Sequence, residues 1–186
     1  MSLVLFPRFL LKLMLLAAFT ACATTGTHAK KRLNLHFYML IVVQNNTCLN
    51  NPKAKYTAVQ TGEAPVPQPF SFGVLHTFDN PLSRKMSLED PADHVGRVQG
   101  WYGDCGQTEL TLCIAQTFAY DDGASKGTFA LLGSDIATDR VKYAPIVGGT
   151  GDFTFCRGIA SQMRVFHASI DSEETAWFEY NITLKF

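Results

Sequence analysis

Two glycine-rich segments carry the residue patterns that most directly suggest catalysis. Gly123 to Gly127 reads G-x-S-x-G, the pattern that places a nucleophilic serine on a sharp strand-to-helix turn in serine hydrolases. An Asp-Asp-Gly sequence leads into Ser125 and strand-forming residues follow, so we expect a turn between two strands here. Val147 to Gly151 lacks the lysine of a phosphate-binding loop and also predicts an inter-strand turn.

Histidines and aspartates are the other candidates, as metal ligands or as general acids and bases. His36, His76, His94 and His167 show no metal-ligand spacing, so we expect structural roles for them and no metal site. Most aspartates stand beside Gly, Pro or Asn, where carboxylates stabilise turns by accepting backbone N–H bonds. Residue chemistry alone therefore does not select a catalytic acid.

The composition limits the class of protein. Hydrophobic residues make up 47% of the 186 residues and charged residues 17%, which excludes a disordered chain for most of the length. The 16 basic residues balance the 16 acidic ones, so a nucleic-acid partner is not expected. The length fits one domain.

The first residues have the pattern of a secretory signal peptide. Basic residues precede the apolar run 13–19, and small residues follow it. We predict a signal peptide over residues 1–23 with cleavage after Ala23, with Ala29 as the alternative site, and a secreted domain over residues 30–186. Because the apolar run is too short to span a membrane, membrane association is not expected.

Secretion would allow the cysteines to form disulfides and two asparagines to be glycosylated. The predicted mature chain retains Cys48, Cys105, Cys113 and Cys156. An even set in an oxidising compartment predicts one or two disulfides, with the pairing left open. Asn45 and Asn181 each begin an N-x-T sequence, so both are predicted glycosylation sites.

Short β-forming segments separated by turn residues must position any site in this chain. They cover residues 33–43, 56–61, 70–79, 95–102, 108–120, 127–134, 143–147, 152–164 and 174–186. The last one alternates clearly, with Phe178, Tyr180 and Ile182 on one face. The pattern predicts an all-β fold, an eight-stranded antiparallel barrel in a single domain, with a β-sandwich as the alternative. Such a barrel holds one small ligand in its mouth.

Several separated motifs together resemble the plant dirigent family, whose barrel is allene oxide cyclase-like. They are V-G-R-V-Q-G-W-Y at 95–102, V-G-G-T-G-D-F at 147–153 and R-G-I-A at 157–160. The resemblance runs from about residue 33 to the C-terminus. It implies an eight-stranded antiparallel β-barrel that is a homotrimer and is secreted to the extracellular space of the plant, the apoplast. The segment 33–43, apolar on both faces, also favours a homotrimer, because its outer face needs cover.

The resemblance also implies a function. Dirigent proteins bind phenoxy radicals made by a separate oxidase, a laccase or a peroxidase, and direct their stereoselective coupling in phenylpropanoid and lignan biosynthesis. They need no cofactor of their own. Some members act as lyases that close rings through quinone-methide intermediates, with pocket acids moving the protons. Whether this chain is itself an enzyme stays open, and no intrinsic oxidase activity is expected.

Site residues follow from the family motifs. The resemblance assigns Tyr102 and Asp135 to the pocket, as catalytic and substrate-binding residues, and Lys142 to the place of a pocket arginine. Leu40 and Ile41 stand where many members have His-Asp, so Ile41 is expected to line the pocket without supplying a carboxylate. This difference keeps an alternative open, a non-catalytic secreted barrel that binds a small phenolic or apolar ligand in defence or cell-wall assembly.

Overall fold

A computed structural model describes residues 31–44, 56–63, 67–136, 138–170 and 173–186. The predicted signal peptide, Asn45 and Cys48 lie outside these residues. One compact unit extends from Arg32 to Phe186. In the described part of the chain, no helix is long and apolar enough to cross a membrane.

The described residues form a closed β-barrel, which confirms the all-β prediction. Its strands are β1 (Arg32–Gln44), β2 (Ala58–Gly62), β3 (Leu75–Ser83), β4 (His94–Asp104), β5 (Thr111–Asp121), β6 (Lys126–Ile136), β7 (Val141–Gly151), β8 (Arg157–Ile170) and β9 (Glu173–Lys185). Each strand pairs with the next, and β9 pairs with β1 to close the barrel. The five-residue β2 is the addition to the expected eight, because β1 also pairs directly with β3 beyond it.

Alternation along the strands decides which side chains fill the barrel. In β5, Gln116, Phe118 and Tyr120 are buried while the residues between them are less so. Successive side chains of a strand point to opposite faces, so one face of β5 lines the interior. The same holds in β9, where the predicted inward face carries the buried Tyr180 and Ile182.

An aromatic cluster fills one end of the barrel interior. Its members are Phe37, Phe118, Tyr120, Phe129, Phe153 and Tyr180. The rings of Phe118 and Phe129 stack with centroids 4.8 Å apart, and those of Phe37 and Tyr180 lie 5.5 Å apart. Each buried ring contributes roughly 1.5–3 kcal/mol through removal of apolar surface from water. This end is a packed core, so a ligand site must lie towards the other end.

Three local expectations differ from the structure, and one of them is the strand predicted from residue 152, which begins only at Arg157. The strand predicted from residue 70 begins at Leu75, because Phe70 and Ser71 have φ of 55° and 57°, in the left-handed region that an extended strand does not allow. The turn predicted at 147–151 is instead the end of β7, and the turn follows it. Gly149 is needed there because a Cβ atom would come within 2.7 Å of Phe153 Cβ.

The segment around Ser125 is a turn between β5 and β6, as expected. The Asp122 carboxylate accepts the backbone N–H of Ala124 at 3.0 Å and that of Ser125 at 2.8 Å. The strand β6 follows directly, so Ser125 lacks the helix that a nucleophile elbow requires.

Candidate active site

A cavity of about 700 Å³ lies inside the barrel, at the end opposite the aromatic cluster. It is lined where β4 and β6 finish and where β5 and β7 start, together with the adjoining parts of β1, β3, β8 and β9. Its apolar lining includes Met39, Ile41, Phe78, Ile114 and Phe178. The volume lies within the usual range for small-molecule sites, which is roughly 300–1,000 Å³.

A buried polar part of the cavity wall is an ion pair between neighbouring strands. Asp135, near the end of β6, is paired with the ammonium of Lys142, near the start of β7. The Asp135 side chain is only 6% exposed and that of Lys142 18%. Charges that are shielded from water interact more strongly than surface charges, so this pair creates a strong local dipole in the cavity wall.

Tyr102 belongs to a stack of rings on β3 and β4. Its ring lies 4.6 Å from that of His76, with 12° between the planes, because the two residues are cross-strand partners. Burial, with smaller contributions from the carboxylates of Asp104 and Glu174, raises the pKa of Tyr102 well above its usual value. The phenol therefore stays protonated at neutral pH and can donate a hydrogen bond into the cavity. Burial also lowers the pKa of His76, which favours the neutral imidazole.

Amide side chains connect the cavity to the packed end. The hydroxyl of Tyr180 lies 2.8 Å from Oε1 of Gln162 and 3.1 Å from Oε1 of Gln116. Tyr180 is fully buried, and burial raises its pKa, so it is a neutral hydrogen-bonding group at physiological pH. Gln162 is also the cross-strand partner of Lys142. Gln162 thus connects the aromatic cluster, through Tyr180, with the strand position of the ion pair.

Ionisable residues surround the mouth of the cavity. Arg140 lies between β6 and β7, Arg164 and His167 lie on β8, and Glu174 lies at the start of β9. Asp139 adds a second carboxylate beside Arg140. The mouth therefore carries charges of both signs around an apolar interior.

The cavity brings together all four residues that the sequence assigned to a pocket. Tyr102, Asp135, Lys142 and Ile41 line it together, and Ile41 supplies an apolar surface beside them. Their catalytic roles stay predictions. Leu40 points away from this lining because neighbouring side chains alternate along β1.

Sequence reasoning missed the three amide side chains in the lining, Asn80, Gln116 and Gln162. Gln116 had a recognisable signal, because it takes an inward position between the apolar residues Ile114 and Phe118. A polar residue at an inward strand position marks either a buried hydrogen bond or a ligand site.

A disulfide holds the loop at the mouth of the cavity. Cys105, just after β4, is bonded to Cys113 in β5, and Leu110 between them lines the cavity. Cys156 is a buried thiol with no disulfide partner among the described residues, and burial raises its pKa. Among the residues described, no group of three or more His, Cys, Asp or Glu side chains is placed to hold a metal ion.

Comparisons with known proteins cover the whole barrel. A family model described as "Dirigent-like protein" matches residues 32–185. The chain is 31% identical over 188 residues to Dirigent protein 1 of Arabidopsis thaliana, covering 97% of this chain and 95% of that protein. It is 31% identical over 159 residues to Pterocarpan synthase 1 of Glycyrrhiza echinata, covering 84% and 79% of the two chains.

Solved structures agree with these sequence matches. A pterocarpan synthase dirigent protein superposes with a TM-score of 0.67 at 30% identity, covering 84% of this chain and 85% of the other. A second one gives a TM-score of 0.68 at 28% identity, with 83% and 95% covered. The motifs first noticed in the sequence lie within the region that these matches span. With the family model extending from the first strand to the last, this chain belongs to the dirigent family.

Proposed function

We propose that this protein directs the stereoselective coupling of phenolic intermediates in phenylpropanoid and lignan biosynthesis. The intermediates are phenoxy radicals, which a separate laccase or peroxidase makes, and the quinone methides that form when the radicals couple. The proposal needs no cofactor on this chain, because the partner oxidase removes the electrons. Membership of the dirigent family supports a stereo-directing role.

Orientation is the main contribution that the barrel would make. Two phenoxy radicals in water couple at several positions and on both faces, so fixing their relative geometry selects one product. The apolar walls around Met39, Ile41 and Phe178 suit aromatic rings, and the cavity of about 700 Å³ is large enough for a coupled phenolic intermediate.

The observation that carries the proposal is the buried Asp135–Lys142 pair in the same cavity as Tyr102. A quinone methide closes when a hydroxyl attacks it, which requires one proton to leave the hydroxyl and one to reach the carbonyl oxygen. The Asp135 carboxylate can accept the first proton, which leaves the ammonium of Lys142 as the remaining charge in the wall, and water supplies the proton that the carbonyl oxygen takes up. The protonated phenol of Tyr102 can donate a hydrogen bond to the carbonyl oxygen as negative charge develops there.

A ring-closing reaction is the variant that the relatives favour. Two relatives are pterocarpan synthases by name, and both solved structures above are of pterocarpan synthase dirigent proteins. The same acid–base arrangement serves an internal hydroxyl attacking a quinone methide. Lignan-type coupling and ring closure are therefore two uses of one site.

A second candidate function is the non-catalytic barrel that binds a phenolic or apolar ligand. The apolar Ile41 favours it, because the residue is buried in the cavity lining where many dirigent proteins place an aspartate. In that case the cavity would retain a ligand without changing its chemistry.

Product stereochemistry separates the two. Purified protein is incubated with coniferyl alcohol and a laccase, and the enantiomers of the dimeric products are separated by chiral chromatography. An enantiomeric excess that grows with protein concentration supports the directing role. Racemic dimers, together with saturable binding of coniferyl alcohol, would favour the ligand-binding function.

We also propose that the protein acts outside the cell, as a glycosylated homotrimer, after removal of its signal peptide. Asn181 supports glycosylation in one respect, since it is exposed on the outside of β9. Asn45 lies outside the described residues. The apolar outer residues of β1, Leu40 and Val42, are already half-buried within one chain. The surface that a trimer would cover is therefore expected on other strands.

Support for a trimer comes from an apolar band on the outer surface. Trp101 on β4, Leu132 on β6 and Ile159 on β8 are exposed in the single chain. Strand register brings these residues to nearly one level, with Ala115 between the first two and Pro145 beside Ile159. Burial of such a band between copies would remove it from water.

A further inference from the structure

Asn80 is a buried amide with an unused hydrogen-bonding atom in the cavity wall. The residue lies in β3, is 0% exposed and lines the cavity. Its Nδ2 contacts the sulfur of Met39 at 3.4 Å, while its Oδ1 has no hydrogen-bond partner among the described residues. A thioether is a weak acceptor, so the amide as a whole is poorly satisfied.

This arrangement is costly unless something completes it. Leaving a buried polar group without a partner costs about 1–3 kcal/mol, and native proteins rarely tolerate it without a purpose. Several surrounding wall residues, Met39, Ile41 and Phe78, are apolar and offer no alternative donor to the amide oxygen. A ligand hydroxyl can supply one where a small shift of the covering side chains, such as Met39, exposes the amide, which is fully buried in this structure.

We propose that Asn80 anchors the ligand by accepting a hydrogen bond from its phenolic hydroxyl. Asn80 is then a positioning residue that selects phenols over their methyl ethers. This inference rests on the proposed function, since it assumes a phenolic ligand. It adds that the phenolic end of that ligand lies against Asn80. The Asp135–Lys142 pair remains free to act on a different part of the intermediate.

Two matched probes test the anchor, coniferyl alcohol and its 4-O-methyl ether, which differ only at the phenolic oxygen. Binding to the purified protein is measured by titration calorimetry. The wild type should prefer the free phenol about five- to tenfold, the equivalent of one net hydrogen bond. Asn80→Leu, which keeps the branched shape and removes both polar atoms, should bind the two probes equally.

The melting temperature of the variants distinguishes a ligand-binding role of Asn80 from a purely structural one. Replacing a poorly satisfied amide by an apolar group of similar shape should leave the melting temperature unchanged or raise it. If Asn80 served only the fold, Asn80→Leu would melt lower and keep the preference for the phenol. Asn80→Ala is the second variant, in case leucine does not fit, and should also abolish the preference.

The outcomes separate this inference from the function on which it rests. Wild-type protein that binds neither probe and gives racemic dimers would overturn the phenolic function itself, whereas an enantiomeric excess without binding of either probe would overturn only the role of Asn80. Wild-type protein that gives an enantiomeric excess but binds both probes equally would leave the function standing and overturn the role of Asn80. A preference that survives in both variants would also overturn it, since another group would then be reading the hydroxyl.

Discussion

Two aspartate–lysine ion pairs in this barrel differ in how far water reaches them. Asp135 and Lys142 pair across β6 and β7 in the cavity, whereas Asp121 and Lys126 pair at the exposed β5–β6 turn. Both are aspartate–lysine pairs, but only the first is shielded. A buried pair loses much more than a surface pair when one partner is removed, because an unpaired charge then remains buried.

Asp135→Asn should therefore reduce both stability and selectivity. We expect a loss of about 3 kcal/mol in the free energy of unfolding and a fall in enantiomeric excess, because the carboxylate can no longer accept the hydroxyl proton. Urea unfolding and the coniferyl alcohol assay measure the two effects. Asp121→Asn is the matched control and should cost less than about 1 kcal/mol. Equal behaviour of the two variants would remove the special role of the cavity pair.

Tyr120 offers a residue-scale prediction about pH. Burial, assisted by Asp122, raises the pKa of Tyr120 to about 12. An unfolded tyrosine ionises near pH 10, so between pH 10 and 12 the unfolded state loses a proton that the folded state keeps. Stability is present in full below pH 10 and falls as the pH rises, by up to about 1.4 kcal/mol per pH unit for this residue.

The test compares urea unfolding at pH 8 and at pH 11. In Tyr120→Phe the loss between the two should be about 1 kcal/mol smaller than in the wild type. Tyr102 and Tyr180, whose pKa values are also raised, keep contributing in both proteins. Tyr143→Phe changes an exposed tyrosine, and its loss of stability between pH 8 and pH 11 should equal that of the wild type. The same loss in all three proteins would show that Tyr120 does not cause it.

Among the elements, the loop between β4 and β5 connects fold and site most directly. The disulfide from Cys105 to Cys113 closes this loop with a sequence separation of 8 and holds Leu110 against the cavity. Backbone bonding supports it, since the N–H of Cys105 donates to the carbonyl of Thr111 at 2.9 Å. The loop is thus fixed at both ends.

Removing the disulfide should loosen the mouth of the cavity while the barrel remains closed. The variant Cys105→Ser/Cys113→Ser should lose about 2.5 kcal/mol of stability on the loop-entropy model. It should also bind coniferyl alcohol more weakly, because Leu110 is less constrained. Titration calorimetry with and without a reductant checks this. Reductant should weaken binding by the wild type and leave the variant unchanged, and an effect on both would point to another thiol.

The elements also show how far the sequence could be interpreted. Alternation in β9 and turn residues between most strands predicted the barrel, because inward positions must be apolar in a closed sheet. The segment from Phe70 to Ser71 could not be predicted, since its left-handed backbone is imposed by context and neither residue favours it. Asn80 was missed because its burial and its contact with Met39 depend on how β3 pairs with its neighbours. That register is set by contacts between residues far apart in the sequence.

The site divides in the same way. Tyr102, Asp135 and Lys142 came from family motifs, whereas their contacts needed the structure. The stack of Tyr102 on His76 depends on the register of β3 against β4. No pattern local to either strand shows that register.

For the whole molecule, the apolar band formed by Trp101, Leu132 and Ile159 is where copies of the chain should meet. Leu132→Asp/Ile159→Asp places two charges within that band and should convert the proposed trimer into monomers, because burial of unpaired carboxylates is unfavourable. Sedimentation velocity on deglycosylated protein at micromolar concentration measures the change. The control is Asn34→Asp, exposed on the outside of β1, a strand that pairs with none of the three strands of the band, and it should remain trimeric. A wild type that sediments as a monomer would overturn the trimer.

The closed barrel separates the frame of this protein from its lining. Backbone bonds between neighbouring strands hold the frame, and these bonds do not depend on which side chains point into the cavity. Residues such as Met39, Ile41 and Phe178 can therefore exchange for other apolar residues at small cost to folding, since volume-conserving changes in a lining next to open space are well tolerated. Such a frame allows new substrate preferences to evolve by a few substitutions, and it makes this chain a practical starting point for laboratory evolution.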